Sequence, residues 1–238
     1  MRRICVEKIL DGSKVKTSFW FYFLSFTIPF FIIVLALIAL HITPFGQHSL
    51  AISDGAHYID SELFFGRLLK GKENWLYSFN LGIGGNNWSN LAWGNFSIGG
   101  ILSVFGTLES MPSLFTWICV INLAICGFTM YLLLSYINGH SVDNLIFSTS
   151  YALIGFNVIN CYQMGFLLGP EMLPLIMLGL FRMFRGRNPL LYIFSLAFCA
   201  FFNFYFAFHL YYLYNHFQPR ISQIPLHFSL NHPPEQIR

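Results

Sequence analysis

The sequence predicts an all-α polytopic membrane protein, with about five transmembrane helices and an extracytoplasmic first loop that carries short amphipathic helices. Three observations predict it. Of the 238 residues, 55% are hydrophobic and only 10% charged, where a soluble domain carries about 25% charged residues. A run of 22 residues, Phe19 to Leu40, holds no charge at all, and about 20 apolar residues suffice to span the hydrocarbon as a helix. The basic residues gather at the start of the chain and in one later turn, an asymmetry of the kind that orients membrane proteins.

Taken in order, residues 1–18 form a basic N-terminus with Arg2, Arg3, Lys8, Lys14 and Lys16 against Glu7 and Asp11. Residues 19–40 are the first span. Trp20 and Tyr22 stand where an aromatic belt belongs, and Pro29 is tolerated in a membrane helix. A cleaved signal peptide would have a shorter apolar region and a small-residue cleavage site, so a retained anchor is expected. Residues 41–111 are polar by the standards of this chain. Within them, "SELFFGRLLK" (61–70) suggests a short amphipathic helix with Leu63, Phe64 and Leu68 on one face. "GIGGNNWSN" reads as loop, and it lacks the ending of a phosphate-binding loop. Residues 95–108 are apolar but too short to cross, so they lie in the interface or re-enter the membrane.

Residues 112–214 hold the remaining four spans, at Pro112–Ile137, Asn144–Tyr162, Phe166–Phe184 and Leu190–Tyr214. The charges check this count. With the N-terminus in the cytoplasm and residues 95–108 not crossing, Arg182, Arg185 and Arg187 fall on the cytoplasmic side, as the bias for positive inner loops requires. The chain is then a multi-pass protein of the cell membrane with its first loop outside. Residues 215–238 are rich in Pro, His and Gln and read as a loose, divergent tail. No CxxC pair occurs among the five cysteines, so neither a disulfide framework nor a cysteine metal site is expected. Asn122, Asn157, Asn160 and Asn203 lie in apolar runs, where bonding between helices is the expected role. Trp75, Trp88 and Trp93 suit either stacking on sugar faces or interfacial anchoring. "NWS" at Asn87 and "NFS" at Asn95 match a glycosylation pattern that is common by chance.

The first loop opens on "LAISDGAHYID". The chain has only ten Asp and Glu, yet Asp54, Asp60 and Glu62 fall within nine positions. On a helix beginning near Ser53, Asp54 shares a face with His57 and Tyr58. A carboxylate at the membrane surface can act as a general base, or bind a cation or a sugar hydroxyl. The plainer alternative is that Ser53 caps the helix and Asp54 sits in its first turn, favoured by the dipole. Glu171, between Pro170 and Pro174, is a functional candidate as an acid within a membrane segment, or else reaches water at the end of its span.

An N-terminal span, then "PFGQHSLAISDGAHYID", then "LLKGKENWLYSFNLGIGGNNWSNLAWGNFSIGGILSVFG", resembles the YfhO family of bacterial membrane proteins. Farther on, "ALIGFNVIN" and "LLGPEMLPLIMLGLFRMFRGRNPLLYIFSLAFCAFFNFYFAF" resemble the later spans of that family, so the likeness covers roughly residues 19–210. YfhO proteins are similar to the GT-C class of glycosyltransferases. The resemblance implies transfer of a sugar from a polyprenyl-phosphate donor to a cell-envelope polymer such as teichoic acid. It implies Asp54 as the catalytic base, with His57, Tyr58, Asp60, Glu62 and Glu171 as substrate-binding candidates. No cofactor is certain, although a divalent cation is possible at the leaving phosphate. The lipid bilayer is the other expected partner, and nucleic acid is not. His57 and Tyr58 stand where the family often has glutamines. Family members run to many more spans, so the chain is expected to be an N-terminal portion, inactive alone. The other classes weighed are a membrane transporter and a non-catalytic accessory subunit.

Overall fold

A computed structural model describes residues 19–50, 54–80, 83–92, 96–206 and 208–209. The basic N-terminus 1–18, Ser53, Trp93, Asn95 and the tail 215–238 lie outside the described residues. Most of the described residues are helical. Helix α1 is Phe19–Ala39, α2 Gly55–Leu69, α3 Asn87–Ala92, α4 Met111–Asn138, α5 Val142–Ala152, α6 Gly155–Ile159, α7 Met164–Phe184 and α8 Leu190–Phe202. A 3-10 helix covers Gly99–Phe105, and two-residue strands β1 (Tyr77–Ser78) and β2 (Gly85–Asn86) pair antiparallel. Glu73 fastens that hairpin by accepting from Asn80 Nδ2 at 2.8 Å and Ser78 Oγ at 3.4 Å.

Among the described residues, three helices are long and apolar enough to cross a membrane: α1, α4 and α7. The run Asn144–Tyr162, expected as one span, is instead broken into α5 and α6. The cause is local. Asn157 turns its side-chain amide back onto the Tyr151 carbonyl at 2.9 Å and the Ala152 carbonyl at 3.4 Å, satisfying carbonyls that a helix end leaves orphaned. Ser141 caps the other end of α5 by accepting from the Asn144 N–H. The last expected span is interrupted in the same way at Asn203. Its Nδ2 donates to the Gly165 carbonyl, and its Oδ1 accepts from the Phe206 N–H at 3.1 Å.

Contacts along the helices fix their relative directions. Asn122 of α4 meets Met164 at the start of α7, and Arg185 past the end of α7 stacks on Tyr136 near the end of α4. Helices α4 and α7 therefore run the same way, and the intervening chain must return. The pair α5–α6 makes that return: His140 stacks on Tyr131, Ala152 lies against Gly127, and Cys161 and Tyr162 reach the cluster around Met111 and Phe115. Helix α1 is antiparallel to α4, with Tyr22 against Tyr131 and Phe45 against Trp117. Helix α8 is antiparallel to α7, with Tyr192 beside Gly179 and Phe206 beside Gly169. Among the described residues the chain therefore runs along the bundle five times, three of them as helices long enough to cross a membrane and one as two short helices. One end of the bundle holds the start of α1 and Arg182, Arg185 and Arg187; the other holds the described residues between 41 and 110.

Prolines in α7 are accommodated rather than merely tolerated. Pro174 has no N–H to give the Pro170 carbonyl, and the Tyr151 hydroxyl donates to that carbonyl instead, at 2.9 Å.

The segment before α4 enters the bundle. Gly99 N–H donates to Asn122 Oδ1 at 2.7 Å, and Asn122 lies about 16 Å along α4 from Met111. The 3-10 helix also packs on α2 through Gly66, where an added Cβ would meet the Ser103 carbonyl oxygen at 2.2 Å. Only glycine permits that approach. Helix α2 is thus longer than the expected 61–70 stretch, and it is wedged between two apolar clusters rather than laid on a surface. Phe64, Phe65 and Leu68 face the cluster with Phe96, Leu168 and Cys199. Tyr58, Ile59 and Leu63 face Met111, Phe115 and Met164.

Candidate functional site: the acidic mouth of the loop end

Six acid, histidine and tyrosine positions stood out in the sequence, and the fold separates them into an exposed mouth and two buried points. Asp54 occupies the position just before α2, exposed, with no side-chain capping bond; its backbone carbonyl accepts from the Tyr58 N–H at 3.2 Å. The Asp54 carboxylate makes no bond to the helix end, and Ser53, the cap in the alternative reading, lies outside the described residues. His57 is exposed and sets its ring edge against Tyr58, with centroids 6.0 Å apart. Tyr58 is half-buried. Its phenol is pushed up from the usual range by burial first, then by the Asp54 charge and by Tyr162, so it stays a neutral hydrogen-bond donor. Asp60 is exposed three residues on from His57.

Two members of this mouth were missed in the sequence. Tyr162 faces Tyr58, and Gln163 Nε2 reaches the Tyr162 hydroxyl at 3.4 Å. Both follow the break that ends α6, so a reading that ran one helix through Tyr162 hid them.

The basic residues of the loop do not join this mouth. Arg67 and Lys70 lie at the far end of α2, about 20 Å and 24 Å along the helix from Asp54. Lys70 is engaged there with the Gly106 carbonyl at 3.1 Å. Trp75 and Trp88 pack on each other at 5.7 Å, and Trp88 continues onto Phe201. The pair therefore ties the loop to the stretch around α8.

Glu62 and Glu171 sit on two sides of the re-entrant segment. Both are fully buried; neither Glu62 carboxyl oxygen has a hydrogen-bond partner among the described residues, and the Glu171 carboxyl lies against the Ile98 backbone. Glu62 faces Gly100 and Ser97, while Glu171, in the interior of α7, lies beside Ile98 and Cys126. The alternative that Glu171 reaches water at the end of its span is thereby corrected. Burial pushes the Glu62 carboxyl up to about 8, because removing a carboxylate from water penalises its charged form. Of the four asparagines expected to bond between helices, Asn122 and Asn203 link different elements, whereas Asn157 and Asn160 serve their own breaks.

Three helices long and apolar enough to cross a membrane, a segment packed into the bundle beside them and two buried acids describe a helical membrane protein. The chain matches the bacterial membrane protein family YfhO over residues 25–218. It belongs to that family. No curated protein and no solved structure matches it.

Proposed function

We propose that this chain is the N-terminal portion of a YfhO-type glycosyltransferase of GT-C character, inactive alone, and that it carries the catalytic base of the whole enzyme. The whole enzyme moves a sugar from a polyprenyl-phosphate donor to a cell-envelope polymer such as teichoic acid, with Asp54 as the general base. One observation carries the reading. Asp54 is an exposed, uncapped carboxylate at the mouth formed by α2 and the end of α6, beside a neutral tyrosine donor. In that role it takes the proton from an acceptor hydroxyl as the oxygen attacks the anomeric carbon, and the lipid phosphate leaves. Tyr58, His57 and Tyr162 then orient the acceptor, and Asp60 contacts it from the rim. Arg67 of α2 and Lys70 just past it are too distant along the helix to neutralise the leaving phosphate at the same centre. His57 or a divalent cation takes that part.

The orientation follows the charges. The start of α1, preceded by five basic residues, shares an end with Arg182, Arg185 and Arg187. This supports an N-terminus in the cytoplasm and a mouth outside. The test replaces the first loop of an active YfhO protein with residues 41–111 of this one and measures sugar transfer. Asp54→Asn is expected to cut turnover by about 10²–10⁴-fold with insertion unchanged, and Asp60→Asn to do less. Near-normal transfer by Asp54→Asn would remove the assignment. Buried Glu62 and Glu171 are the observation that favours the alternative of a transporter. Movement of a solute by vesicles holding this chain alone would support that second reading.

A further inference from the structure

The interface between α2 and the re-entrant segment gathers buried oxygen atoms, and those of Glu62 and Ser103 have no hydrogen-bond partner among the described residues. An ideal Cβ on Gly100 would meet Glu62 Oε1 at 2.9 Å, Glu62 Oε2 at 2.9 Å and Ser97 Oγ at 3.0 Å. Three oxygens therefore converge on the space that the missing side chain leaves. Ser97 Oγ already accepts the Gly100 N–H at 2.9 Å, which fixes its position. One turn farther along α2, Gly66 faces Ser103, whose Oγ is buried and without a partner, 3.3 Å from where a Gly66 Cβ would stand. Glu62 and Gly66 are four residues apart on one helix face, and Gly100 and Ser103 are three apart on the 3-10 helix. The Ser103 hydroxyl thus stands about one helical turn from the Glu62 carboxylate.

We propose that Glu62, Ser97 and Ser103 form a binding site for an alkali-metal cation between α2 and the re-entrant segment. The donor atoms are all oxygen, the ligands of hard cations. The charge selects the valence. A single carboxylate cancels one positive charge, whereas a divalent ion in this dry setting would remain half-compensated, and an uncompensated buried charge is strongly disfavoured. Short re-entrant or broken helices inside membrane proteins supply such sites because their backbone leaves the regular ladder. Gly66, Gly99 and Gly100 have a common purpose in this account: they let the segment approach until its hydroxyls face one carboxylate. The site is distinct from the Asp54 mouth and does not depend on sugar transfer.

The experiment uses the purified full chain in detergent at constant ionic strength and mildly alkaline pH, with N-methylglucamine chloride replaced stepwise by NaCl or KCl. Apparent Tm should rise saturably with Na+ or K+, because a ligand of the folded state alone stabilises it by mass action. Glu62→Gln should abolish the response. Ser103→Ala, which keeps the carboxylate and makes a smaller change, should weaken half-saturation by about tenfold, the loss of one polar contact. Should Glu62→Gln fail to fold, Ser103→Ala together with radioactive-sodium binding to the unaltered chain decides the matter. An equal Tm in N-methylglucamine and in both alkali salts overturns the proposal, as does an undiminished response in Glu62→Gln. Stabilisation by Ca2+ alone overturns it too.

Discussion

Replacing Gly66 by alanine sets two opposed effects against each other, and the structure decides between them. In an isolated helix the change should help, since alanine favours the helix over glycine by about 1 kcal/mol. Here the new Cβ would lie 2.2 Å from the Ser103 carbonyl oxygen and 2.7 Å from its carbon. Those atoms are backbone and cannot rotate away, so the 3-10 helix must move off α2. Overpacking of this kind costs about 1–3 kcal/mol, occasionally more. A 2.2 Å approach to backbone puts the cost at about 2–3 kcal/mol, so the net loss is about 1–2 kcal/mol, a fall of roughly 2–8 °C in apparent Tm for a chain of this size. Gly155→Ala is the matched control: it opens α6, and nothing stands within 4 Å of its Cβ. Its Tm should hold or rise. Thermal unfolding in detergent, followed by tryptophan fluorescence, reads both. A Gly66→Ala protein as stable as the unaltered one, or an equal fall in both variants, would refute the close approach of α2 to the re-entrant segment.

Three further outcomes follow from the buried polar groups. In sodium- and potassium-free buffer, stability should fall by about 1.4 kcal/mol per pH unit between pH 4.5 and about 8, the ordinary and raised values for Glu62. The sign follows from proton counting: the folded carboxyl keeps its proton through that window while the unfolded one has lost it. Glu62→Gln should make a pH series of unfolding midpoints shallower by that amount, and an unchanged slope would exclude Glu62 as a contributor. Asn122→Leu strips the Gly99 N–H of its acceptor and should cost about 1–3 kcal/mol, with faster deuterium exchange across residues 96–105; unaltered exchange there would contradict the anchoring. Tyr151→Phe leaves the Pro170 carbonyl unpaired beside Pro174, and a loss of about 1 kcal/mol in unfolding free energy is expected.

Hydropathy exposed the membrane class, the first span and the long α4 and α7 without any help from tertiary structure, because each is decided by its own composition. The break between α5 and α6 was not visible. It depends on the side chain of Asn157 bonding backbone carbonyls five and six residues earlier, and an apolar count does not register that choice. The same blindness hid Tyr162 and Gln163. Glu62 read as one of several loop acids because a carboxylate on a short helix is usually solvated. Its burial comes from Gly100 and Ser97, some 40 residues away in sequence, and the glycines at 66, 99 and 100 were the available hint that two segments meet closely. Asp54 was readable as a candidate from scarcity and position. Its lack of a capping bond was not, since that depends on where the helix begins.

The account rests on which side of the membrane the acidic mouth faces, and site-directed labelling measures this directly. In a version with all five cysteines replaced, single cysteines are placed at exposed Ala56, two residues past Asp54, and at Arg187 in the turn after α7. Intact cells are then treated with a membrane-impermeant maleimide. The account predicts labelling at position 56 in intact cells and at position 187 only after permeabilisation; labelling at 187 with protection at 56 would put Asp54 in the cytoplasm and contradict it.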